Sequence, residues 1–368
     1  MNLTKVIIAP DSFKGALTAR EAADIIADEV MSAFPDCEVI KMPIADGGEG
    51  SVDAILSTIG GKVISAVILS PDFRKIDAKY GITDNGTAVI EMAQSSGITR
   101  QLKLNPMTSD TRGFGELILS ALDKEAREFT LCIGGSATTD GGCGMAAALG
   151  AKFFNKQRDS FIPCGETLSD INNIDTSGID KRVAESKFTV MCDVDNPLFG
   201  KNGAAYIYSP QKGADPEQVK ILDNGLRHYG TVLTKTFNKN FNEIPGAGAA
   251  GGLGAGCMAF LGADLKSGID AILELYNFNK QLQGADLVIT GEGKLDSQSF
   301  QGKVLSGILR GSGKVPIIVI CGVCDCDPNL LKEKGITVFE ASEGITIEES
   351  MEKPEKYLRL AAKKAMKG

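Results

Sequence analysis

Short apolar runs recur along the chain, each broken by polar or glycine-rich residues and most of them followed by apolar positions at helical spacing. Leu3 to Ala9 predicts a buried strand with Pro10 to Gly15 as the loop at its carboxyl end. Thr18 and Glu21 then form a capping box ahead of a helix that puts Ala22, Ile26 and Val30 on one face. Cys37 to Pro43 predicts a second strand, which leads through Ala45 to Gly50 into a helix striped by Val52, Ile55, Leu56 and Ile59 and ended by Gly60 and Gly61. Two βα units in succession predict a doubly wound parallel sheet.

From Lys62 the pattern changes to strand after strand: Val63 to Leu69, Lys75 to Ile82 and Thr87 to Met92, with Asp84-Asn85-Gly86 as a hairpin turn. A helix over Leu117, Ile118, Ala121 and Leu122 precedes a strand from Phe129 to Ile133, and a further strand begins at Thr189. Asp215, Pro216 and Gln218 supply an N-cap, a proline at the first helical position and a capping-box partner. The helix they open buries Val219, Leu222, Leu226, Tyr229 and Leu233 and turns His228 to the surface. Strands return at Ala285 to Thr290, Val315 to Gly322 and Ile336 to Ala341, and a helix closes the chain from Thr346.

These elements predict an α/β protein of two domains. One is a Rossmann-like doubly wound parallel sheet split in sequence, residues 1–75 and 285–368; the other is an inserted α/β domain with a mixed sheet, residues 76–284.

Composition narrows the function. Apolar residues make up 43% and charged residues 23% of the 368, the balance of a globular chain. A net charge of -8 argues against a nucleic-acid or anionic-membrane partner, both of which call for a basic face. No apolar run reaches the roughly 18 residues of a membrane span, and the first strand is too short for a signal-peptide core, so a cytoplasmic protein is expected. The nine cysteines read as reduced thiols. Cys321, Cys324 and Cys326 have a spacing that can bind metal, but no second pair accompanies them. With the one histidine at the surface, a general base must be a carboxylate, lysine or tyrosine.

The candidate chemistry lies where acids and glycines follow strands. Ile133-Gly134-Gly135-Ser136-Ala137-Thr138-Thr139-Asp140-Gly141-Gly142 passes from strand to polar loop to helix, a pattern suited to cradling phosphate or carboxylate on backbone N–H groups. Ala45 to Gly50 repeats the Asp-Gly-Gly core at Asp46, Gly47 and Gly48, and Gly291, Glu292 and Asp296 follow a third strand. Asp11, Ser12 and Lys14 sit at the first strand's carboxyl end, where ligands of such sheets bind. Asp193 and Asp195 close another strand before Asn196-Pro197 and suit a shared cation or a substrate hydroxyl. Gly246 to Gly251 matches G-x-G-x-x-G but lacks the preceding strand of a dinucleotide fingerprint, and Gly311 to Lys314 is not a Walker loop.

Pro10 to Gly15, Ala45 to Gly50, Ile133 to Gly142, Cys192 to Leu198, Gln211-Lys212-Gly213, Pro245 to Gly254 and Ile289 to Asp296 run in order through nearly the whole chain. In these motifs the sequence resembles the bacterial type-I glycerate kinases. The resemblance implies ATP as donor, Mg2+ as cofactor and a hydroxyl of D-glycerate as acceptor, giving 2-phosphoglycerate, with the active site in a cleft between two domains. On physical grounds Asp193 is the first choice of base and Lys14 is catalytic, meeting an anion with Ser12, while Asp11, Gly47, Gly48, Gly134, Gly135, Ser136, Thr138, Asp140, Gly141, Lys212, Gly291 and Asp296 serve substrate or phosphate. Asp46, Asp195 and Glu292 would serve the metal. Arg112 departs from the family pattern before Gly113-x-Gly115-Glu116. A kinase for another small hydroxy acid, a non-catalytic acid sensor and, on the Gly246 loop alone, a dehydrogenase are the alternatives. A monomer and a homodimer are both compatible with the sequence.

Overall fold

The computed structural model describes residues 3–44, 50–300 and 304–367; Asp46, Gly47 and Gly48 lie outside the described residues. The chain divides into two compact units. The first takes Met1–Asp46, Ser57–Ile59 and Gly268–Gly368, and the second takes Gly47–Leu56 and Gly60–Ser267.

The first unit holds a five-stranded sheet in the order Ile336–Glu340, Ile317–Cys324, Leu287–Leu295, Lys5–Ile8, Glu38–Lys41. Every neighbouring pair is parallel. Val6, Ile7, Ile8, Val288, Ile289 and Ile320 are fully enclosed, as a parallel sheet covered on both faces requires. From Lys5–Ile8 the chain moves to one side of the sheet, and from Leu287–Leu295 to the other. The order therefore reverses between these two central strands, and a crevice opens at their carboxyl ends. Helix Ala19–Ala33 starts on the expected capping box, with the Glu21 N–H donating to Thr18 Oγ1 (3.2 Å) and the Thr18 N–H to Glu21 Oε2 (2.8 Å). Its Ala22, Ile26 and Val30 pack with Leu358, Ala361 and Ala362 of helix Pro354–Lys367 in one core.

One expectation about this sheet is corrected. The strand expected to stop at Thr290 continues to Leu295, with Glu292 opposite Cys321 and Lys294 opposite Val323. Gly291, expected after the strand, lies within it and allows close pairing: a Cβ there would stand 2.2 Å from the Ile320 carbonyl oxygen.

The second unit holds a six-stranded sheet in the order Asp264–Lys266, Lys187–Met191, Glu128–Cys132, Thr87–Glu91, Lys75–Thr83, Gly61–Leu69. The first four strands are mutually parallel and the last two antiparallel, which makes the sheet mixed as expected. The Asn85-Gly86 hairpin forms, and Thr83 Oγ1 bonds the Asn85 side chain. Residues 61–69, expected in the split domain, pair along their length with Lys75–Thr83 and so belong to this sheet. Helices Gly268–Leu275 and Phe278–Gln281, expected in the inserted domain, fall within the first unit. A small sheet of Ser160–Phe161, Lys152–Phe154 and Asn173–Asp175 was not foreseen.

Asp215 caps helix Pro216–Phe237 by accepting from the Glu217 and Gln218 N–H groups, both at 2.9 Å. His228 corrects an expectation: it is half-buried, with Nε2 2.6 Å from the Ile171 carbonyl oxygen, because residues 165–171 pack over that side of the helix. Among the described residues no helix is long and apolar enough to cross a membrane.

Candidate active site

In the first unit, the strand ends line a cavity of about 680 Å3. Asp11, Ser12 and Lys14 reach it from the loop after Lys5–Ile8, and Glu292 and Asp296 from the end of Leu287–Leu295. Sequence reasoning put Asp11, Ser12 and Lys14 at the end of the first strand and Glu292 and Asp296 after a later one; the structure gathers all five around this cavity. The Asp11 N–H donates to the Gly291 carbonyl (2.8 Å), which ties the two segments, and the Ser12 N–H donates to Asp11 Oδ1 (2.6 Å). Lys14 is exposed. Lys294 and Asp325 also line the cavity and pair with each other at 3.1 Å. Asp296 Oδ1 accepts from the Gln298 N–H (2.9 Å), so one of its oxygens caps the turn Ser297–Phe300.

In the second unit, the loop after Glu128–Cys132 is built differently. Gly134 and Gly135 are exposed at its tip, while Ser136, Thr138, Asp140 and Gly141 are buried. The Asp140 carboxylate accepts from the Thr111 N–H (2.9 Å), the Thr111 hydroxyl (2.7 Å), and the N–H groups of Gly142 (3.1 Å) and Gly144 (3.0 Å). Burial pushes its pKa up and these donors pull it back. An acid with four internal donors is a brace for the turn. Gly141 is held by the Tyr229 hydroxyl, which donates to its carbonyl at 3.0 Å.

Lys212 stands behind the same loop. It is 1% exposed, and its Nζ donates to the Thr138 carbonyl at 2.6 Å. Burial brings its pKa down to about 7 against the attraction of Asp140. Both Asp140 and Lys212 were expected on a ligand; in the structure Asp140 accepts four bonds from its own loop and from Thr111, and Lys212 donates to the loop at the Thr138 carbonyl.

Asp193 and Asp195 follow strand Lys187–Met191 and are exposed. Met191 pairs with Cys132, so this acidic loop and the Gly134–Gly135 loop leave neighbouring parallel strands at the same sheet edge. Asn196 fixes the acidic loop: its side chain donates to the Asn202 carbonyl (2.8 Å) and accepts from the Tyr208 hydroxyl (2.5 Å).

The G-x-G-x-x-G segment supports both loops. A Cβ on Gly248 would stand 2.1 Å from the Pro197 carbonyl oxygen, and one on Gly251, at φ +71°, 2.1 Å from that of Thr138. The glycines serve close backbone packing. Three more residues escaped the sequence reading. Glu91, 2% exposed at the end of the next strand, accepts from the Val52 N–H at 2.7 Å. Thr111 supplies two of the Asp140 donors. Asp110, 3% exposed, is pushed up to about 6 by burial and by Asp140, against its ion pair with Arg112 at 2.7 Å. Arg112 also lies over the Phe73 ring, which gives this unexpected side chain an internal place.

All nine cysteines are free thiols. Burial keeps Cys326 protonated, with its pKa raised to about 11, and raises that of Cys321 further.

Fold and site define a class: a doubly wound α/β unit with an acid-lined crevice, joined in sequence to a unit carrying a glycine loop beside paired acids. Residues 6–368 match the profile described as the Glycerate kinase family, and the chain belongs to that family. It is 42% identical over 366 residues to a glycerate kinase of Bacillus subtilis (strain 168), covering 98% of this chain and 96% of that protein. It is 44% identical over 337 residues to a glycerate 2-kinase of Escherichia coli (strain K12), covering 90% and 88%. A crystal structure from Salmonella typhimurium LT2, described as a glycerate kinase 2, superposes with a TM-score of 0.87 at 36% identity, covering 100% of this chain and 98% of that one.

Proposed function

We propose that the protein is an ATP- and Mg2+-dependent kinase that phosphorylates D-glycerate and gives 2-phosphoglycerate. The observation that carries this reading is the near-full-length similarity to a glycerate 2-kinase, together with acids and glycine loops at the strand ends of both units. Phosphoryl transfer asks a protein mainly to position two reactants and to neutralise charge.

Asp193 is the base that takes the proton of the glycerate hydroxyl. It is exposed, on a loop held by Asn196 and Pro197, and no histidine competes for the role. The Gly134–Gly135 tip offers an anion backbone without Cβ atoms in the way. Lys14 with Ser12 meets a second anion in the first unit.

Mg2+ binds through one or two carboxylates and keeps several waters and phosphate oxygens, so it needs no dedicated protein cage. Among the described residues no group of three or more His, Cys, Asp or Glu is gathered for a metal, but the available acids fit that looser demand. Asp195 in the second unit and Glu292 in the first are separate candidates for holding it, each within its own unit; Asp46 lies outside the described residues. Bound there, the ion would neutralise phosphate charge.

ADP release measured with and without D-glycerate, and with and without Mg2+, tests the reading. Release that requires both supports it. Binding of D-glycerate without any ADP release would make the protein a sensor, and release that prefers another hydroxy acid would move the substrate.

A further inference from the structure

We infer that the crevice of the first unit is the nucleotide pocket, with its apolar lining taking the base of a nucleoside triphosphate and its strand-end groups the sugar and phosphates. This rests on the kinase reading and adds which reactant the cavity holds. Its volume, about 680 Å3, lies in the range of pockets that enclose drug-sized ligands, roughly 300–1,000 Å3. A three-carbon acid would leave most of it to water.

The lining has two chemistries. Asp11, Ser12, Lys14 and Glu292 supply charge and hydroxyl, while Val323, Ile347, Met351 and Leu358 supply apolar surface. Ile347 and Met351 are large apolar side chains left 50% and 49% exposed. Apolar surface of that kind beside a charged cavity floor marks a place for a ligand that is itself apolar at one part and anionic at another. The two chemistries are close: a Cβ built on Gly15, in the loop that carries Lys14, would stand 3.5 Å from Met351 Cε. A purine ring stacks on such a wall by its face, ribose hydroxyls suit carboxylate acceptors, and phosphates suit Lys14. D-glycerate has polar groups on every carbon and nothing to cover Ile347 and Met351. Topology agrees, since the cavity lies at the carboxyl ends of the two strands between which the sheet order reverses.

The chain contains no tryptophan, so Met351→Trp places a single indole on the apolar wall. The position is half exposed and accepts the larger ring; Ile347→Trp offers the same reporter from the neighbouring position. ADP, which has no γ-phosphoryl group to transfer, is titrated into the full chain with Mg2+, and D-glycerate is titrated separately. The inference expects a saturable change in emission with ADP and none with D-glycerate. It also expects Met351→Asp to raise the KM for ATP about tenfold while the KM for D-glycerate stays within about twofold. An emission change with D-glycerate alone, an increase confined to the KM for D-glycerate, or no change in either while the variants turn over would overturn it. Failure of the unsubstituted chain to form ADP with D-glycerate would instead remove the kinase reading, and the ADP titration would still decide what the pocket binds.

Discussion

The crevice of the first unit and the glycine loop of the second carry similar acid-and-glycine motifs, yet they are physically opposite. Around the crevice, Asp11, Glu292 and Asp296 line an open cavity with half-exposed apolar side chains beside them. In the loop, Asp140 and Lys212 are enclosed and bonded to the turn they support, and only the Gly134–Gly135 tip and the neighbouring Asp193 and Asp195 are exposed. An acid in such a motif serves a ligand or the backbone according to whether buried N–H groups already claim it. The comparison makes Asp140 a brace for its turn, while Asp193 carries the proposed base role, and each can be tested on its own.

The largest effect is expected at Asp193. Asp193→Asn keeps the shape of an exposed side chain and removes the base, so kcat falls by about 100- to 10,000-fold while the urea midpoint stays where it was. Retained turnover in a folded variant would remove Asp193 from the base role.

Asp140→Ala is expected to act on the fold. It leaves four buried donor groups without their acceptor, and urea unfolding should show a loss of about 3–5 kcal/mol. Asp296→Ala, which removes a cap on one short turn in the first unit, should cost about 1 kcal/mol by the same measurement. Equal losses at the two positions would erase the distinction between braced and cavity-lining acids.

A pH dependence is also expected at Lys212. Burial lowers its folded pKa to about 7, whereas an unfolded lysine titrates near about 10.4. Between these values the unfolded chain binds more protons, so this group makes stability rise as pH climbs from about 7 to about 10. Lys212→Met should flatten that rise in unfolding free energy measured across the interval. An unchanged slope would mean that the buried amine does not titrate there.

Much of the architecture was legible because local chemistry and tertiary structure agree. Thr18 with Glu21 and Asp215 with Gln218 close the capping boxes they spell, Asn85-Gly86 turns the hairpin, and the apolar runs of Val6 to Ile8 and Val288 to Ile289 become the covered parallel strands. What stayed hidden depends on distant partners. Nothing local says that Asp140 will meet Thr111, or that Lys212, of a residue type usually exposed, will be enclosed against Thr138. Gly291 looks like the start of a loop until the neighbouring strand is present to need its missing Cβ. The strands Lys152–Phe154, Ser160–Phe161 and Asn173–Asp175 are too short to show a period. The acids proposed for the site drew notice because a carboxylate at the carboxyl end of a strand is a signal in itself.

Phosphorus NMR of the product formed from Mg2+, ATP and D-glycerate tests the central claim most directly. The account predicts a phosphomonoester doublet, split by the single proton on the carbon that carries the phosphate in 2-phosphoglycerate. A triplet, from phosphate on the CH2 carbon, would contradict the assigned product, and a spectrum with no new phosphomonoester would contradict the kinase itself.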